Sequence, residues 1–174
     1  MHALFFSLLL SCTLLVQAQT LTVPDFPAGR RGAEALVNYI LSASPKEREL
    51  LSRQLLPTAE DCQAVFPGKL GTKVYRYQRR LYRQARLVIR PLIESQTEYY
   101  LWGATQSELL DYVGEAREFP GGYHEMADDI APEITCYRFK FVQPGHRLGS
   151  AYDILVHVNG HWRMIHRPWV VLFD

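Results

Sequence analysis

The period of the hydrophobic positions changes once along this chain, near Glu94. Before that point the spacing is helical. Leu36, Val37, Ile40 and Leu41 predict a helix from Ala33. Ser44 before Pro45, with Glu47 in the first turn, reads as an N-cap and predicts a second helix through Leu55. Thr58, with Glu60 and Asp61 after it, starts a third, short helix that stops before Pro67-Gly68. The longest helix is predicted over 70–92. Val74, Leu81, Ala85, Val88 and Leu92 mark one face of it, and Arg76, Arg80, Arg83, Arg86 and Arg90 the opposite one, with Tyr75, Tyr77 and Tyr82 along the flanks.

After Glu94 the aromatic run 97–104 (TEYYLWGA) predicts a strand. Residues 106–112 suggest a helical turn, and 119–122 (FPGG) a loop. The run 134–142 alternates, with Tyr137, Phe139 and Phe141 on one face and Cys136, Arg138 and Lys140 on the other. The clearest signal is Asn159-Gly160 between 152–158 and 161–167, which predicts a hairpin closed by a type I′ turn. A two-residue turn sets the register: Val158 opposite His161, His157 opposite Trp162, Val156 opposite Arg163, Leu155 opposite Met164. Strict alternation then puts Asp153, Leu155, His157, Trp162, Met164 and His166 on one face. Ile154, Val156, Val158, His161, Arg163 and Ile165 fall on the other, which is suited to packing.

The fold class these elements predict is α+β, with N-terminal helices and one long helix packed on a curved antiparallel sheet. Within 174 residues the organisation reads as a signal at 1–18, a Pro/Gly-containing linker at 19–32 and a single domain at 33–174. The apolar run Ala3–Val16 has the length of a signal core and is too short to span a bilayer. Val16-Gln17-Ala18 offers a cleavage site before Gln19, and the expected location is therefore secreted or periplasmic. A second reading takes Leu9-Leu10-Ser11-Cys12 as a lipoprotein box with Cys12 acylated. No later run is long enough for a transmembrane span.

The net charge of +1 does not call for nucleic acid. Its distribution is uneven, with eight Lys or Arg and no acid from Lys69 to Arg90, then ten acids and one Lys or Arg from Glu94 to Glu133. The arginine stripe fits a polyanion or lipid head groups. A solvated helix face accounts for it more simply. Cys62 and Cys136 remain after cleavage, either as a disulfide or as two buried thiols. There is no CxxC and no helical HxxxH, so no metal site is expected, and no cofactor motif is present.

Asp153, His157 and His166 share a face in the alternating reading, and a His with a carboxylate suits general acid–base work. Four residues along a strand separate Asp153 from His157 by about 13 Å, too far for direct contact. Helices first, a long helix next, then antiparallel strands ending in Y-x-x-L-V-x-V-N-G-H-W (152–162) resemble the cystatin-like folds, in particular the nuclear-transport-factor-2-like (ketosteroid-isomerase-like) superfamily. The resemblance covers about residues 70–171. It implies a sheet wrapped around a long helix with a cone-shaped cavity, and many such domains bind without catalysing. The expected function is a non-enzymatic exported domain that binds a small molecule or a protein of the cell envelope, with a pocket drawn from Tyr137, Asp153, His157, Trp162, Met164 and His166. The alternative is a small hydrolase or isomerase using Asp153, His157 and His166. The oligomeric state stays open, a homodimer included.

Overall fold

Three helix starts in the chain are written as capping boxes, and all three form. Ser44 with Glu47, Thr58 with Asp61 and Thr105 with Glu108 each exchange two side-chain-to-backbone bonds, satisfying amides that a helix N-terminus leaves open. The computed structural model describes residues 22–85 and 87–173. The predicted signal, with Cys12 and Ala18, lies outside them. The helices are α1 (Arg30–Ser42), α2 (Pro45–Gln54), α3 (Ala59–Val65), α4 (Lys69–Ala85), α5 (Gln106–Asp111) and α6 (Gly121–Glu125). The strands are β1 (Glu98–Thr105), β2 (Thr135–Val142), β3 (Gly149–Val158) and β4 (His161–Met164). Short 3₁₀ turns at Gly114–Glu118, Ala127–Asp129 and Pro168–Leu172 complete the described chain. The class is α+β, with helices packed on an antiparallel sheet.

The four strands form a simple meander in the order β1-β2-β3-β4. The β3–β4 register is the one the Asn159-Gly160 turn dictates: Val158 pairs with His161 and Leu155 with Met164. Both turn residues have positive φ, 51° at Asn159 and 77° at Gly160. A Cβ at Gly160 would meet no atom within 4 Å, so the cost of adding one lies in the backbone. Gly160→Val is expected to destabilise the fold by more than about 1 kcal/mol, the scale of forcing a β-branched residue into a left-handed conformation. Urea denaturation would show it, and a midpoint equal to wild type would exclude this turn.

Two expectations need correction, and one open alternative is decided. The long helix stops at Ala85, seven residues before Leu92. Pro91 bars helical geometry at Arg90, and Val88 and Ile89 are β-branched. Ile89 is instead buried beside α2, where its N–H donates to Ser52 Oγ at 2.9 Å. Residues 22–29 are not a free linker. Val23 and Phe26 pack against the core, and the Phe26 and Pro27 carbonyls accept from the Trp162 indole N–H. Finally, Cys62 and Cys136 are free and buried, and burial pushes each thiol up to about 12, which leaves them poor nucleophiles.

Helices cover both faces of the sheet. On one face Tyr137, Phe139, Phe141, Tyr152, Leu155, Trp162 and Met164 pack against Leu36, Val37 and Ile40 of α1 and Leu51 of α2. On the other, Cys136, Ile154, Val156, Val158 and Ile165 pack against α3, α4 and the segment carrying Leu109, Phe119, Tyr123, Met126 and Ile130. The sheet is therefore the middle of three layers, and its apolar side chains serve two cores.

Candidate functional site

Strict alternation fails at one place in β3. Tyr137 pairs with Leu155 while Phe139 pairs with Tyr152, so β3 carries one residue more than β2 across that interval. The extra residue is absorbed at a bulge where Ile154 has φ 43°. Side chains N-terminal to the bulge thereby change face. Asp153 does not share a face with His157. It lies on the opposite side, in an ion pair with Arg138 at 2.9 Å.

Of the other members of the predicted pocket, Tyr137, Trp162 and Met164 occupy a filled core, with His157 half-buried beside Trp162. Trp162 is 6% exposed, its ring meeting Tyr137 edge-on at 5.7 Å and His157 at 5.2 Å. Its indole N–H is held by the Phe26 and Pro27 carbonyls at 3.0 and 3.1 Å. Met164 is fully buried beneath α1 and α2. His166 lies beyond the end of β4, where the main chain is clasped by the Gln78 amide of α4 through two bonds, of 2.7 and 3.0 Å. Its ring stands between Tyr82 and Tyr152, with centroids 6.0 and 6.2 Å away. Burial pulls its pKa down to about 4, so the imidazole is neutral. Asp153, His157 and His166 thus have three separate settings and do not meet at one reacting atom, as acid–base chemistry requires.

The polar groups beneath the sheet are held by each other. Arg138 binds Asp153 and also donates to the Glu118 carbonyl, and Trp102 lies under both Arg138 and Lys140, at 5.4 and 5.6 Å. The Tyr123 hydroxyl is enclosed without a partner between Phe119 and Trp169, and burial holds its pKa well above the usual phenol value. A hollow of about 1150 Å³ is an open groove between the α1–α2 corner and residues 90–97. Arg48 in its lining is committed to the Ile40 and Leu41 carbonyls at 2.7 and 2.8 Å, which closes the C-terminus of α1. Among the described residues no three His, Cys, Asp or Glu side chains gather as a metal site, and no helix is long and apolar enough to cross a membrane.

The outer face of α4 is strongly cationic. Along α4, Leu70, Val74, Tyr75, Tyr77 and Gln78 turn inward, while Lys69, Lys73, Arg76, Arg79, Arg80 and Arg83 are exposed. Arg76, Arg79, Arg80 and Arg83 line a shallow hollow of about 400 Å³. Arg79 rests over the Tyr75 ring and Arg80 over Tyr77, each at 5.8 Å, which orients both guanidinium groups. No described acid pairs with Arg76, Arg79 or Arg83. The helical spacing of the stripe was visible in the sequence. The shortfall of partners is what the fold adds.

A helix exposed merely to water commonly carries both signs of charge, as α1 and α2 of this chain do. Arg30 pairs with Glu34 across one turn of α1, and Arg53 with Glu49 across one turn of α2. The seventeen residues of α4 contain no acid, and its first turn is basic, against the helix dipole. Each close like-charged pair costs about 0.2–0.5 kcal/mol of helix stability. Such an arrangement suits a surface that meets anions.

Comparison with protein-family models, with curated proteins and with solved structures finds no match to this chain.

Proposed function

We propose that this is an exported, non-enzymatic binding domain whose binding surface is the arginine face of α4 and whose partner is anionic. The observation that carries the reading is the acid-free helix itself, with Arg76, Arg79 and Arg83 exposed and free of described acidic partners. Guanidinium groups suit this role because their donors match the oxygens of phosphate, sulfate or carboxylate in pairs. Export rests on the apolar run Ala3–Val16 and the small-residue site at Ala18. The filled sheet face and the separation of Asp153, His157 and His166 favour binding over catalysis.

Binding should follow the salt law of polyanions, weakening steeply as salt rises. Immobilised heparin is a suitable probe. Wild-type protein is expected to be retained and to elute with salt, and Arg76→Ser/Arg79→Ser/Arg83→Ser to elute at clearly lower salt. Because these side chains are exposed, the variant should melt at or slightly above the wild-type temperature. Equal elution of the two proteins, or no retention of either, would remove the reading.

A further inference from the structure

The C-terminal turn changes what kind of anion this face suits. Pro168–Leu172 forms a 3₁₀ turn that docks on α4 through Val171, which is 3% exposed. Val171 shares a hollow of about 190 Å³ with Lys73, Arg76, Tyr77 and Arg80. The next two residues are apolar yet turned to solvent: Leu172 is 38% exposed and Phe173 75%. An exposed apolar residue alone is ordinary. Here two lie in succession beside a cationic helix face, and the turn that carries them is anchored in that same face.

We infer that the α4 face and the C-terminal turn together dock on the surface of an anionic lipid bilayer. The inference rests on the anion-binding reading above and names its partner. Each part has a counterpart in a bilayer: guanidinium and ammonium groups at the level of the phosphates, Leu172 and Phe173 at the boundary of the acyl chains. A hydrophilic polyanion would answer the charges but leave Leu172 and Phe173 in water. Two independent contributions, charge and apolar insertion, are what reversible surface binding requires, since either alone is weak.

The test is cosedimentation with sucrose-loaded vesicles of phosphatidylcholine, with and without about one-third phosphatidylglycerol. The full mature protein should pellet with the anionic vesicles and stay in solution with the neutral ones. Arg76→Ser/Arg79→Ser/Arg83→Ser should lower partitioning by about tenfold or more. Leu172→Ser/Phe173→Ser should lower it several-fold while leaving heparin elution unchanged, and both side chains are exposed enough for the fold to be kept. If wild type binds heparin but not the anionic vesicles, or if the Leu172/Phe173 variant pellets like wild type, the lipid assignment is overturned and the anion-binding reading stands. If neither heparin nor vesicles are bound, both fall.

Discussion

Asp61→Ala is expected to destabilise the protein by about 3–5 kcal/mol, the range for stripping one partner from a buried ion pair. Asp61 does three things at once. Its Oδ2 accepts the Thr58 N–H at 2.9 Å and so closes the α3 capping box. The same oxygen accepts from Arg163 Nε at 2.6 Å, and Oδ1 accepts from the Asn159 amide at 2.9 Å. The first bond is local, while the other two pin the β3–β4 hairpin, turn and strand together, to the N-terminus of α3. The side chains of Asp61 and Arg163 are only 3% and 15% exposed, so water cannot take over the lost contacts. Arg163 would keep the Gln54 carbonyl but lose its counter-charge. Burial works to raise the Asp61 pKa, yet the bonds from Thr58, Asn159 and Arg163 outweigh it and hold the carboxyl below its ordinary value. Its stabilising effect is therefore complete above the ordinary carboxylate pKa and fades as pH falls through the depressed one. Urea denaturation at neutral pH checks the size. A loss under about 1 kcal/mol would mean that the hairpin does not depend on this carboxylate, and Asp61→Ala/Arg163→Met should recover part of the loss by removing the stranded cation.

What the sequence disclosed, and what it did not, divides by range of interaction. The Asn159-Gly160 turn and the boxes at Ser44–Glu47 and Thr58–Asp61 are legible because their causes lie within a few residues. The basic stripe of α4 is legible for the same reason, since helical spacing is local. The bulge at Ile154 was not legible. Nothing in 149–158 (GSAYDILVHV) breaks the alternation, and an isoleucine is among the least expected residues at positive φ. Only the demand that Tyr152 join Phe139 and Phe141 in one core, while Ile154 joins Cys136 and Val156 in the other, selects it. That single inserted residue moved Asp153 to the far face and dissolved the expected Asp–His grouping.

A second failure concerns the face carrying Leu155, Trp162 and Met164. Mixed large apolar and titratable residues resemble a pocket lining, but they also describe a core that a second layer covers. Deciding between the two requires knowing where α1 packs, and amphipathicity reports only that a helix has an inward face. The 22–29 strap over Trp162 carried no periodic signal at all. The role of Asp61 escaped in part for the same reason. Its cap was visible, whereas its bonds to Asn159 and Arg163 cross about a hundred residues of chain.

Acid is expected to weaken this fold well before its carboxylates are protonated, and His166 is the cause. In the unfolded chain a histidine titrates near 6.5, whereas here burial lowers the value to about 4. Between those two values the unfolded state takes up a proton that the native state refuses. Stability therefore rises with pH across this window, is complete above 6.5 and is progressively lost as pH falls toward 4. The difference corresponds to about 3 kcal/mol over the full window. The geometry explains the refusal. The ring is walled by Tyr82 and Tyr152, its Nε2 has no partner, and the Gln78 amide is occupied by the main chain of His166 itself. Tyr82 in turn donates its hydroxyl to the Met164 carbonyl at 3.1 Å, and burial pushes its phenol pKa up, so it stays neutral. His166→Leu keeps both main-chain bonds to Gln78 and replaces the imidazole with an apolar group of similar size. Urea midpoints measured from pH 7 to pH 4 should fall steeply for wild type and much less for the variant, while the two proteins differ little at pH 7. Parallel curves for the two would mean that His166 is protonated in the folded state, and that the contact between α4 and the end of β4 is open to water.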